Sequence, residues 1–177
     1  ERMNTLIHEQ VEFHNVAALE PVPGHGPCGM VRYPEAVRQH MIAEPGYLNG
    51  GSSAGCEIRF VTGDPRVEVF LSCTQPQFRE KGQVRIFRGD VEVMDLELEP
   101  GRVHNLFLIE PPALGNVDRE TLDRRSGFSS QVWRVATGAG TFCFHGVDSH
   151  GRFLRPPEAH EKPAKRWLAY GSSITNA

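Results

Sequence analysis

Apolar residues recur at every second position through much of this chain, and this period of two constrains its fold more than any other feature. Such a period places successive side chains on opposite faces of a β-strand, so that one face can be buried. Two segments of this kind, 58–62 and 67–73, flank a turn at Gly63-Asp64-Pro65 and are predicted to pair with each other. Their inward faces would carry Ile58, Phe60, Thr62, Val67, Val69, Leu71 and Cys73.

A second turn signal lies at Gly89-Asp90. Alternating segments at 84–88 and 91–93 run into it and out of it, which predicts a hairpin with a two-residue turn. Beyond Val93 the apolar phase slips by one position through 94–98. Because a slip of one residue inverts the faces of a strand, the sequence predicts a β-bulge near Val93.

Two further patterns complete the strand predictions. The segment 103–109 is apolar almost throughout, which predicts a central strand covered on both faces. Segments 131–135 and 141–147 alternate and are joined through 138–140, where two glycines favour a turn. They are therefore predicted to form a final hairpin.

Helical patterns are scarce and short. Pro34 begins one candidate at 34–42, and a polar candidate lies at 116–125 in a long crossover. The segment 21–27 is so rich in proline and glycine that we expect a rim loop there rather than a paired strand. Many short strands with Gly/Pro turns and little helix predict a mainly β chain, an antiparallel β-sandwich of jelly-roll type.

Length and charge limit the function classes. A chain of 177 residues can hold one domain, or one domain and a fragment of another. The hydrophobic share of 39% and charged share of 23% are ordinary for a globular protein. The net charge of −3 includes no basic patch, so no nucleic-acid partner is predicted. No apolar stretch is long enough to span a bilayer, so no membrane partner is predicted either.

The cysteines and histidines do not form motifs. None of the cysteines belongs to a Cys-x-x-Cys pair, which favours free thiols and a cytoplasmic protein, with disulfides in a secreted protein as the alternative. These residues are Cys28, Cys56, Cys73 and Cys143. His145, Asp148 and His150 lack the spacing of zinc ligands, and no metal or cofactor is predicted. Trp133 and Trp167 alternate with core positions and are expected to be buried rather than to stack on sugars.

The composition changes after residue 150. The segment 151–166 contains three prolines and several charges, which predicts a semi-stiff linker. An apolar run at 167–170 follows and leads into Gly171-Ser172-Ser173-Ile174-Thr175. This order predicts a buried strand and a tight turn that delivers a serine hydroxyl to a helix N-terminus, where backbone N–H groups stabilise an oxyanion. A serine that only caps a helix is the alternative.

The run Gly171-Ser172-Ser173-Ile174-Thr175 resembles the Gly-Asp-Ser-Ile/Leu-Thr motif of SGNH (GDSL-like) hydrolases. By this resemblance Ser173 is the catalytic nucleophile and its own backbone N–H contributes to the oxyanion hole. The layout also resembles the SGNH subgroup in which a jelly-roll domain precedes the α/β catalytic domain, a subgroup that includes carbohydrate esterases and an acyltransferase of polyketide tailoring. Ser172 stands where the motif usually has Asp, which changes the local charge.

The resemblance implies three parts: a sandwich domain at 1–150, the linker at 151–166, and the truncated start of an SGNH domain at 167–177. The complete protein would be a serine esterase or acyltransferase that acts on a small-molecule or carbohydrate ester without a cofactor. In the family a Gly, an Asn and an Asp-x-x-His pair follow the nucleophile. They are not among these 177 residues, so this span alone is predicted to be inactive and to need its catalytic domain as partner.

Two alternatives without catalysis stay open from the sequence. The sandwich could be a carbohydrate-binding module, which requires exposed aromatic side chains or a polar groove on one face. It could instead be a structural module that forms homo-oligomers through an apolar surface patch.

Overall fold

A computed structural model describes residues 5–41, 52–76, 79–123 and 127–165. These residues form twelve strands and a few short helical segments. The strands are β1 (Leu6–His8), β2 (Val11–His14), β3 (Ala18–Val22), β4 (Gly26–Val31), β5 (Glu57–Thr62), β6 (Arg66–Cys73), β7 (Gly82–Arg88), β8 (Val91–Leu98), β9 (His104–Ile109), β10 (Val132–Thr137), β11 (Phe142–Asp148) and β12 (Leu154–Arg155). The helical segments are α1 (Glu35–Arg38), α2 (Pro112–Gly115), α3 (Arg119–Asp123) and a 3-10 turn at Ala159–Glu161.

The strands form two antiparallel sheets. The first sheet has the order β1-β2-β5-β10-β7-β8, with β12 added beside β5, and the second has the order β3-β4-β11-β6-β9. Alternate residues of both sheets enter one shared core, in which Phe60, Leu71 and Val135 have no exposed surface. The predicted mainly β, antiparallel sandwich is confirmed. The predicted first strand of an SGNH domain lies outside the described residues.

Two predicted strand pairs are wrong, although their strand positions are right. β5 and β6 flank the turn at 63–65 but belong to different sheets. The same holds for β10 and β11, which were predicted to form a hairpin. When the chain crosses from one sheet to the other, both strands still turn one face toward the shared core. A crossing therefore produces the same period of two as a hairpin within one sheet. The inward faces predicted for 58–62 and 67–73 are indeed buried.

β9 is an edge strand rather than a central one. It pairs with β6 on one side and ends the order of its sheet. Leu106 and Leu108 face the core, whereas Phe107 and Ile109 are 56% and 49% exposed. The prediction of cover on both faces is therefore wrong: the outward residues of β9 are apolar, and apolar character alone does not reveal whether another layer lies above them.

Other local predictions are confirmed. β7 and β8 form the hairpin about Gly89-Asp90. Ile86 pairs with Met94 and Phe87 with Glu92, so Val93 is the extra residue of the predicted bulge. The segments α1 and α3 lie within the two predicted helical regions.

The segment 21–27 does contribute strand residues, contrary to prediction. β3 extends through Pro21 to Val22 and pairs with β4, and their register shifts between Glu20 and Val22. Proline has no N–H to donate, but an irregular edge strand tolerates it because that side of the strand needs no partner. β3 occupies this edge position in the second sheet.

The four cysteines are free thiols, as predicted. Burial raises the pKa of Cys56 to about 12 and that of Cys143 to about 11, so neither is a nucleophile at neutral pH. Trp133 is 1% exposed, which confirms its expected burial. None of the helices in the described ranges has the length and apolar character needed to cross a bilayer.

The segment predicted as a linker, 151–166, contacts the sandwich in its described part. β12 pairs with the end of β5, and Pro157 and Glu161 are buried. Within the segment, Arg155 holds Glu161 through two hydrogen bonds of 2.7 and 2.8 Å. The pairing of β12 with β5 anchors the segment to the first sheet. The division of the chain at residue 150 stays a prediction.

Candidate functional site

The predicted nucleophile lies outside the described residues. Ser173 belongs to the segment 166–177, which also contains Trp167 and the apolar run before the Gly-Ser-Ser turn. Its role as nucleophile, and that of its backbone N–H in an oxyanion hole, stay predictions. Two polar clusters and a pocket among the described residues are considered as candidate sites.

The first cluster joins His150 to carboxylates at the crossing from β5 to β6. Nδ1 of His150 lies 2.8 Å from Oδ2 of Asp64, and Nε2 lies 3.2 Å from Oε1 of Glu68. These hydrogen bonds raise the pKa of His150. Asp148 accepts a hydrogen bond from the backbone N–H of His150 instead of joining a ligand set. Nowhere in the described ranges are three His, Cys, Asp or Glu side chains placed to hold a metal ion.

The second cluster brings together a serine and two histidines from distant parts of the sequence. Oγ of Ser72 on β6 lies 2.8 Å from Nε2 of His145 on β11, and Nδ1 of His25 lies 3.4 Å from the same oxygen. Burial and the neighbouring His25 lower the pKa of His145. A serine bonded to a neutral histidine is the pairing that activates a nucleophile.

The burial of Ser72 opposes catalysis. Ser72 is 2% exposed, so an ester carbonyl cannot approach its hydroxyl. No carboxylate among the described residues orients His145, and a catalytic histidine needs such a partner to hold its tautomer. We interpret the Ser72–His145 contact as the hydrogen bond that a buried hydroxyl requires.

The pocket lies at one end of the sandwich, where the connection between β9 and β10 covers it. It has a volume of about 110 Å³, enough for several water molecules or a small anion. Arg88 reaches it from the last position of β7, and Glu110 follows the last residue of β9. The lining residues are Arg88, Glu110, Leu114, Gly115, Val117, Arg119, Leu122 and Ser130.

Positive charge exceeds negative charge in this pocket. Nε of Arg88 lies 3.2 Å from Oε2 of Glu110, and Nη2 of Arg119 lies 3.6 Å from Oε1 of the same carboxylate. The guanidinium carbon of Arg88 lies 4.8 Å from the centre of the Trp133 ring, so the charge stacks on an aromatic face. Burial lowers the pKa of Arg88, and Glu110 opposes that shift. Two cations share one carboxylate, so the lining carries one net positive charge.

A buried hydroxyl lies beside the pocket. Ser130 is 6% exposed, and its Oγ has no hydrogen-bond partner among the described residues. Its backbone N–H donates to Oδ1 of Asp123 at 2.6 Å, which fixes the residue at the end of the helical crossover. A buried hydroxyl without a partner is rare because it loses its hydrogen bonds to water without replacement.

Sequence reasoning missed this pocket, although a signal was present. By alternation, Arg88 falls on the same face as the buried Val84 and Ile86. Glu110 likewise follows the alternation of the buried Leu106 and Leu108. Charged residues on the core phase of two strands that end near each other indicate a buried ion pair.

Comparisons with known proteins point to a fold and not to a family. No family model matches this sequence. No curated protein matches it. Among solved structures, the salicylyl-acyltransferase SsfX3 from a tetracycline biosynthetic pathway is similar, with a TM-score of 0.58 and 12% sequence identity. The likeness is one of fold. It covers 90% of this chain, which spans only 43% of the length of that enzyme.

Proposed function

We propose that this sandwich is the N-terminal accessory domain of a serine esterase or acyltransferase of the SGNH type, and that Ser173 is its nucleophile. The observation that carries the proposal is the order of two features: the nucleophile-like run at 171–175 directly follows a sandwich. The similar structure supports the proposal, because its name is that of an acyltransferase and more than half of its length lies outside the likeness.

The proposed chemistry requires groups beyond Ala177. A serine hydroxyl needs a neighbouring histidine to accept its proton before it can attack an ester carbonyl. The C–O bond of the ester then breaks, and its alcohol leaves with the proton from the histidine, which gives an acyl-enzyme. The acyl-enzyme passes its acyl group to water in an esterase, or to another hydroxyl or amine in an acyltransferase, and the serine regains its proton. The substrate class that fits the proposal is a small-molecule or carbohydrate ester.

The test compares neighbouring serines in the protein expressed from its complete reading frame. Ser173→Ala should abolish labelling by a fluorophosphonate and lower p-nitrophenyl acetate hydrolysis by at least about 10³-fold, because the acyl-enzyme can no longer form. Ser172→Ala is the matched control and should retain labelling of Ser173, as shown by mass spectrometry of the labelled peptide. Undiminished turnover in Ser173→Ala, or a reading frame that stops at Ala177, would contradict the proposal.

A further inference from the structure

The pocket at the end of the sandwich has features that are not needed to stabilise the fold. Arg88 and Glu110 occupy positions that would ordinarily hold apolar side chains, and a buried ion pair generally stabilises a fold no better than a well-packed apolar pair. An Arg88–Glu110 pair would also be complete without a third charged group. Arg119 nevertheless lies against the same carboxylate, so two arginines and one glutamate line the pocket.

The donors that remain free lie around one space. Arg88 uses Nε on Glu110 and Nη1 on the carbonyl oxygen of Gln131, which leaves Nη2 without an acceptor among the described residues. Ser130 lines the same space, but its hydroxyl oxygen has almost no accessible surface. Arg119 is half exposed at the mouth and can turn its guanidinium toward an entering group. The shared need of the two arginines is an acceptor with negative charge.

We propose that this pocket binds a small organic carboxylate through Arg88 and Arg119. A planar guanidinium presents two parallel N–H groups at the spacing of the two oxygens of a carboxylate. One net positive charge in the lining matches a monoanion and not a dianionic phosphate.

The remaining walls fit the organic part of such a ligand. Leu114, Val117 and Leu122 contribute apolar surface from the helical crossover, and Gly115 adds backbone without a side chain. An aryl or short alkyl group placed against these residues would lose contact with water as its carboxylate meets the arginines. The ligand is therefore a small acid with an apolar body.

The test uses isothermal titration calorimetry on the full-length protein with benzoate and hexanoate as probes. Both should bind, whereas benzamide, which has the shape of benzoate without its charge, should not. Arg119→Gln should weaken benzoate binding by about tenfold or more, because it removes a hydrogen bond to a charged group. Arg85→Gln is the matched control, since Arg85 lies on the same strand as Arg88 and is 54% exposed away from the pocket; it should leave the affinity unchanged.

Three results would overturn the proposal. The first is the absence of heat from both acids up to about 20 mM, a concentration that detects even weak millimolar affinity. The second is benzoate affinity that stays the same in Arg119→Gln, since the acid would then bind elsewhere. The third is inorganic phosphate that binds more tightly than either acid. Thermal melts of all variants verify folding, and because the readout is binding and not turnover, the outcome is independent of the role of Ser173.

Discussion

Glu57, at the level of a single residue, is a carboxylate that stays ionised although most of its side chain is buried on the outer face of the first sheet. It receives hydrogen bonds of 2.7 Å from Nε of Arg59 and 2.6 Å from Nη2 of Arg134. Burial by itself would raise the pKa of Glu57, but these hydrogen bonds and the two positive charges lower it to about 2. The ionised form of Glu57 is therefore more stable in the folded protein than in the unfolded chain.

This shift predicts a loss of stability in acid. Because the folded pKa of about 2 lies below the ordinary value of 4.5, the contribution of Glu57 is present above pH 4.5 and is lost as the pH falls toward 2. The free energy of unfolding, measured by urea titration, should be greater for the wild type than for Glu57→Gln by on the order of 3 kcal/mol at neutral pH. That difference should shrink steadily toward about pH 2.

A second glutamate provides the control for this measurement. Glu92 lies on β8, where its side chain is 42% exposed and 3.7 Å from Arg85. An exposed pair of this kind contributes little, so Glu92→Gln should change the free energy of unfolding by less than about 1 kcal/mol at any pH. A difference between wild type and Glu57→Gln that stays constant with pH would contradict the assigned pKa shift.

At the level of the secondary-structure element, β9 provides a direct test of which face is buried. Leu108 has no exposed surface and its neighbour Phe107 is 56% exposed. Leu108→Ala should therefore lower the free energy of unfolding by about 2–5 kcal/mol, through lost burial and a cavity. Phe107→Ala should cost less than about 1 kcal/mol. Equal costs in urea titrations would mean that β9 is covered on both faces after all.

The positions of the strands could be predicted from the sequence, but not their partners. The alternation at 58–62 and 67–73 located β5 and β6 because each has one face in the core. Which sheet a strand joins depends on contacts with segments far away in the sequence, such as β10 for β5 and β11 for β6. The sequence of a turn between two alternating segments does not indicate those distant contacts. The crossing at 63–65 was therefore predicted as a hairpin.

The candidate pocket could not be predicted from the sequence for a related reason. Its charged residues, Arg88 and Glu110, lie 22 positions apart, and Ser130 follows only after the helical crossover. No short motif joins them, and their common location becomes visible only when the ends of β7 and β9 are placed together. By alternation, Arg88 and Glu110 fall on the faces of their strands that are otherwise buried. This could have indicated that the two residues pair, because charged side chains rarely occupy buried positions without a partner.

At the scale of the whole molecule, the final described segment closes one face of the sandwich. Glu12 is 3% exposed and contacts Arg59 at 3.3 Å, and Lys162 bonds to its second oxygen. The backbone N–H of Ser129 donates to the carbonyl of Glu161 at 2.9 Å, which ties this segment to the chain before β10. The sandwich therefore depends on residues that follow its last core strand.

A comparison of two shortened chains tests where the folding unit ends. A chain that stops after residue 165 keeps β12, the Arg155–Glu161 pair and the Lys162–Glu12 contact, whereas a chain that stops after residue 150 loses all three. The shorter chain should be less stable by on the order of 2–4 kcal/mol, because Glu12 loses one partner and apolar surface on the outer face is exposed. Urea titrations of both chains measure the difference. Equal stability would show that the folding unit ends at residue 150 and that the following segment is a linker, as the sequence predicted.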